Sequence, residues 1–118
     1  MNVSEFVEAI RLTVECAAVD DCLEQYAAPS GRKPSADLIQ LSDWYNSVSD
    51  RDRTMLKKAM TDAVHASLFG LFCVLDGVRQ IENTQDRGEL ELWHVRDGER
   101  TLINDANENL LHDEYNAC

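Results

Sequence analysis

Apolar residues recur along the first quarter of the chain at helical spacing. Val3, Val7, Ile10, Val14 and Ala17 fall three and four apart, with Phe6 beside them, which predicts a helix over residues 3–27 with one buried face. Glu5, Glu8 and Glu15 lie off that stripe. Asp20-Asp21 marks either a break or the start of a second short helix ending near Tyr26. Residues 28–34 hold two prolines and a glycine and read as an exposed loop. Gly31, Arg32 and Lys33 do not complete a phosphate-binding G-x-x-x-x-G-K-[ST] pattern. Ser35 then caps a helix through about residue 47, whose apolar face is Leu38, Leu41, Trp44 and Tyr45.

Ser49-Asp50-Arg51-Asp52 has the form of a capping box and opens a long helix to about Leu75. Its core stripe is expected to be Met55, Leu56, Ala59, Met60, Ala63, Val64, Leu68, Leu71 and Leu75. From Leu68 onward Phe69, Phe72, Cys73 and Val74 fill the other faces, the pattern of a central helix buried all round. Residues 71–75 alone also fit a strand. Gly70 costs roughly 1 kcal/mol against Ala in a helix, which points to a neighbour packed closely against it. Gly77, after Asp76, supplies a left-handed cap.

A polar loop over residues 82–88 separates this helix from two alternating runs, 89–95 and 100–104. Asp97-Gly98 between them is a two-residue hairpin signal. Pairing outward from it sets Val95 opposite Arg100, Trp93 opposite Leu102 and Leu92 opposite Ile103. Leu90, Leu92, His94, Thr101 and Ile103 then share the face expected to pack on the long helix. Glu91, Trp93, Val95, Arg100 and Leu102 share the other. Asp105 with Glu108 is expected to cap a last helix through Tyr115, packed by Leu110, Leu111 and Tyr115. The expected fold is α+β in a single domain of residues 1–118: three or four helices packed on a two-stranded antiparallel hairpin, with a short C-terminal helix.

Charge changes this picture more than composition does. The 118 residues carry 22 acids and 11 Lys and Arg, a formal net charge of −11. Residues 1–59 hold ten acids and seven bases, whereas residues 60–118 hold twelve acids and four bases. Such an excess disfavours docking on a phosphate backbone or an anionic membrane surface, and it favours a basic protein partner. The longest wholly apolar stretch, around Leu68 to Leu75, is well short of the ~20 residues of a bilayer span. The start of the chain has no basic segment followed by an apolar run, and none of Cys16, Cys22, Cys73 and Cys118 makes a C-x-x-C pair. The expectation is a cytoplasmic protein with free thiols and no cofactor.

Catalytic patterns are thin. His65, His94 and His112 invite a metal reading with Asp76, Asp105 and Asp113, but they are 29 and 18 residues apart and fall on different elements. Zinc sites normally show closer ligand spacing. The plainer reading makes His65 a helix-face residue, His94 a sheet-face residue and His112 a surface residue near a helix end. Cys73 is surrounded by apolar residues, whereas a reactive thiol needs an electropositive, accessible setting. Carboxylates are too numerous for one acid–base pair to stand out. Trp44 and Trp93 both read as core, with Trp93 the better candidate for a binding surface because its neighbours alternate with charge.

The runs His65-Ala66-Ser67-Leu68-Phe69-Gly70-Leu71-Phe72, Leu75-Asp76-Gly77-Val78, Gly88 to Val95, Leu102-Ile103-Asn104-Asp105 and Leu111-His112-Asp113-Glu114-Tyr115-Asn116 resemble small bacterial proteins. Some of these are similar to immunity proteins of polymorphic toxin systems. The likeness covers roughly residues 65–116 and brings no catalytic motif. It implies a non-catalytic acidic protein that neutralises a cognate toxin by binding its basic cleft. The expected contact residues are Glu89, Glu91, Trp93, Glu99, Asp105, Glu108, Asp113 and Glu114, with Glu5, Glu8 and Glu15 as a rival surface. Two other readings stay open: a phage-type anti-defence inhibitor or DNA-charge mimic, and a small enzyme using His112, Asp113 and Asp76.

Overall fold

The computed structural model describes residues 1–117, and its secondary structure is α+β as the pattern predicts. Helix α1 (Val3–Ile10) continues through a π-helical segment, Arg11–Cys16, into α2 (Ala17–Ala27). Asn2 starts it with a reciprocal capping box: its side chain accepts from the Glu5 amide, and Glu5 accepts from the Asn2 amide. A π turn holds more residues than an α turn, so it rotates every later side chain about the axis. That rotation breaks the expected apolar stripe. Val3 and Val7 are buried, but Val14 is 40% exposed and Glu15 is buried in its place. Asp20-Asp21 interrupts nothing, and α2 runs on to Ala27.

The described residues form two compact units, one of Met1–Thr13 with the chain from Ala66 onward, the other of Val14–His65. The second unit contains α2, α3 (Ala36–Ser47) and most of α4 (Asp50–Leu75). Ser35 caps α3 by accepting from the Leu38 amide at 3.1 Å. Ser49 accepts from the Asp52 amide at 3.2 Å and starts α4. Tyr26 and Tyr45 meet edge to face with centroids 6.1 Å apart, and the Arg53 guanidinium lies 5.1 Å over Tyr45. The inner face of α3 is not the one expected. Leu41 and Trp44 are exposed, while Ser42 is buried. Leu38, Ser42 and Tyr45 fall on one side at i, i+4 and i+7, and the Ser42 hydroxyl is satisfied by the Asn46 amide at 3.3 Å.

The first unit is built around Val3, Val7, Phe72, Ile103, Leu111 and Tyr115, with Phe6, Ile10, Leu68, Phe69, Leu75 and Leu92 packed against them. The Phe72 ring is met edge-on by Tyr115 at 5.0 Å and by Phe6 at 6.2 Å. Residues 71–75 are helix. The end of α4 closes with Gly77 at φ +78°, its amide donating to Val74 and the Val78 amide to Cys73, a Schellman closure. The helix is not buried all round: Gly70, Phe72 and Cys73 are buried, but Leu71 is 51% and Met55 55% exposed. Leu71 stands one residue, about 100°, round the axis from Phe72 and misses the core. The neighbour expected at Gly70 is the Arg79 side chain; a methyl group on Gly70 would lie 2.5 Å from Arg79 Nη1.

Strands β1 (Trp93–Arg96) and β2 (Glu99–Leu102) pair antiparallel in the expected register. Asp97 and Gly98 turn them at φ +52° and +82°, the left-handed pair a two-residue hairpin demands. The strands are shorter than expected because Asn104 replaces a ladder with side-chain bonds. Its amide donates to Leu75 O and Leu90 O, both at 2.7 Å, and its oxygen accepts from the Leu92 amide at 2.8 Å. Core packing belongs to Leu92 and Ile103 at the hairpin's base, whereas Leu90 is 48% exposed. Helix α5 (Leu111–Asn116) starts later than expected, since Asp105 is used in a turn, accepting from the Asn107 amide at 3.0 Å.

Candidate functional site

The first unit carries thirteen acids and five bases, net −8, and the second nine acids and six bases, net −3. The acids expected to meet a partner therefore all sit on the more strongly charged unit. They do not form one patch. Trp93 is 38% exposed on one hairpin face, beside Val95 at 58%. Its indole N–H donates to Glu91 at 2.9 Å, and the Arg100 guanidinium covers its ring at 4.9 Å. Both contacts hold the ring in place, and both mix charge into the face: Glu91 is engaged, and a cation lies at its centre. Glu99 pairs with Arg96 in the register and alternates to the opposite hairpin face from Trp93.

Further along, Asp105 and Glu108 line a groove of about 550 Å³ with Val3 and Ser4 of α1 and Arg100 and Leu102 of β2. Glu89 lines a separate groove of about 500 Å³ with Glu82, Arg79, Arg87, Leu75 and Leu90. Asp113 is exposed next to His112. Glu114 is half-buried and accepts from Ser4 Oγ and from Asn109 at 3.5 Å, so it ties α5 to the start of α1. Of the rival acids, Glu15 is buried, while Glu5 caps α1 and Glu8 pairs with Arg11 at 3.0 Å.

The three residues of the enzyme reading do come together. The Asp76 carboxylate, fully buried, accepts from the Leu111 amide at 3.1 Å and the His112 amide at 2.8 Å. His112 Nδ1 is 2.6 Å from the same carboxylate, which against an ionised acid makes Nδ1 the protonated nitrogen. His112 Nε2 lies 3.3 Å from Asp113, and the Phe69 ring meets the imidazole edge-on at 5.8 Å. Leu110, at the α5 N-cap, contributes no side-chain bond. Asp76 supplies that cap from 35 residues away. Its bonding capacity is spent on holding a helix, and neither groove above is lined by His112.

Sequence reasoning missed the pair of Glu15 and His65, whose Nδ1 and Oε1 are 2.8 Å apart on the second unit. Nothing in the apolar period announces the π turn that brings Glu15 inward. Among the described residues no three of His, Cys, Asp and Glu are grouped to hold a metal ion, and Cys16, Cys22 and Cys73 are free thiols. Cys118 lies outside the described residues. By length and composition α4 would serve to cross a membrane, with 17% of its most apolar stretch buried. His65 and Asp62 fall within it. No family model, curated protein or solved structure matches the chain.

Proposed function

We propose that this is a non-catalytic, cytoplasmic, acidic binding protein, of the kind that neutralises a basic protein such as a bacterial toxin domain. It would bind neither nucleic acid nor a membrane and need no cofactor. The observation that carries this reading is the charge on the first unit, net −8, with Glu89, Glu99, Glu108 and Asp113 exposed on it and the Trp93 ring of the same unit held by Glu91 and Arg100. A held aromatic ring loses little freedom on binding, and the net negative charge of the unit steers a basic partner toward that unit. The Asp76–His112 pair supports folding rather than chemistry in this reading, because every bond of the Asp76 carboxylate ends on the start of α5.

The test is the association rate of a basic protein captured from the source cell, measured against salt. It should fall steeply between low and physiological ionic strength, where screening acts beyond ~8 Å. Replacing Glu89, Glu99 and Glu108 together by Lys should slow association about tenfold or more while leaving the melting curve unchanged. A rate indifferent to salt and to these replacements would refute the reading.

A further inference from the structure

We infer that the open edge of β2 is where a partner enters, and that it takes an extended peptide segment carrying Lys or Arg as a third strand. This rests on the reading above and names the part of the partner that is held. Among the described residues the sheet has two strands, and none lies beyond β2. Its hydrogen-bond phase follows from the Ile103 amide, which donates to Leu92 O at 2.8 Å. Bonded pairs recur every second residue in an antiparallel ladder, so Thr101 with His94 and Glu99 with Arg96 are bonded pairs. Arg100 and Leu102 are the alternate residues. Their backbone N–H and C=O groups point away from β1, off the open edge.

Arg100, Thr101 and Leu102 line one groove together with Val3, Ser4, Asp105 and Glu108. An added strand, its axis about 4.8 Å from that of β2, would set its own N–H and C=O groups within hydrogen-bond reach of those of Arg100 and Leu102. The charge of the groove selects the occupant. Among the described residues no Lys or Arg pairs with Asp105 or Glu108, and the Arg that lines the groove, Arg100, is stacked on Trp93. A basic side chain on the incoming strand would supply the missing counter-charge. A second copy of this chain would bring the same net −11 and is repelled. The edge of β1 also has outward groups, at Trp93 and Val95, but neither groove is lined by them.

The probe is an end-capped seven-residue peptide of alternating Lys and Val, titrated into the ¹⁵N-labelled whole chain. Amide exchange at Arg100 and Leu102 should slow by roughly tenfold or more, while His94 and Thr101, already bonded, stay unchanged. The matching Glu–Val peptide should fail to protect them. A Lys–Val peptide N-methylated at every residue, which keeps its charge but has no backbone donor on either edge, should fail too. Asp105→Asn, which keeps the acceptor for the Asn107 amide, with Glu108→Lys should abolish the protection at an unchanged melting temperature. The inference is overturned by protection confined to other amides, by equal binding of the N-methylated peptide, or by no protection at millimolar peptide. If a captured basic protein associates in a salt-dependent way yet leaves Arg100 and Leu102 exchanging freely, only the strand-addition inference falls. If association ignores salt, the broader reading falls first.

Discussion

Asp76 holds His112 twice, by the backbone amide at 2.8 Å and by the ring Nδ1 at 2.6 Å, and so fastens the last helix to the end of the longest one. Arg11 fastens the other end of α5, donating to Tyr115 O at 2.6 Å while its guanidinium lies 5.1 Å over the Tyr115 ring. A six-residue helix has too few internal bonds to form alone, so its stability is borrowed from these contacts and from buried Leu111 and Tyr115.

Asp76→Ala should therefore destabilise the protein by about 3 kcal/mol, combining a lost cap with donors left in a buried place. Asp76→Asn keeps an acceptor and should cost less. Urea unfolding gives the totals, and hydrogen exchange should show the α5 amides losing protection first. A loss below about 0.5 kcal/mol would mean the cap is idle.

Phe72→Ala and Leu71→Ala should separate widely although the residues are adjacent. Phe72 is 2% exposed between two aromatic edges, so its truncation should cost about 3–5 kcal/mol. Leu71 is 51% exposed, and its truncation should cost less than about 1 kcal/mol. Equal shifts in the denaturation midpoint would place the core on the wrong side of α4.

Gly70→Ala should be tolerated despite the burial of Gly70. The added methyl would meet only the far end of the flexible Arg79 side chain, which can swing into solvent, and Ala gains up to about 1 kcal/mol of helix propensity. Gly98→Ala should instead lose about 1 kcal/mol, because φ is +82° there. Thermal melts of the two variants should move in opposite directions, or Gly70→Ala should stay level.

Thiol reactivity should follow position. Cys16 and Cys22 are exposed and should react promptly with a disulfide reagent in the native protein, whereas Cys73 should react only on unfolding. A Cys73→Ser variant that leaves the slow phase of labelling unchanged would contradict this assignment.

Tyr26 should ionise above the ordinary tyrosine value of 10.0, chiefly because partial burial disfavours the phenolate, and secondly because the Cys22 thiolate is close. The neutral ring is thus the form the fold prefers. The resulting contribution to stability is present below pH 10 and is lost as pH rises through the elevated value. The difference absorbance of wild type against Tyr26→Phe reads this directly, and Cys22→Ser should lower the value only part of the way.

Local chemistry was legible from the residues themselves. Ser35, Asp97-Gly98 and Gly77 each impose one backbone geometry on their neighbours, so the α3 start, the hairpin turn and its register, and the end of α4 followed directly. The negative excess of the second half was equally plain. Which apolar residues are buried was decided by tertiary structure. The π turn at Arg11–Cys16 rotates Glu15 inward and Val14 outward, a change of phase with no mark in the sequence. Ser42 displaces Leu41 and Trp44 from the α3 interface because the facing helix, not the hydropathy of α3, sets which side is covered. Asn104 and Asp76 were visible only as polar residues near turns. Their partners lie up to 36 residues away, and only the folded chain sets a single carboxylate against the amides of a distant helix.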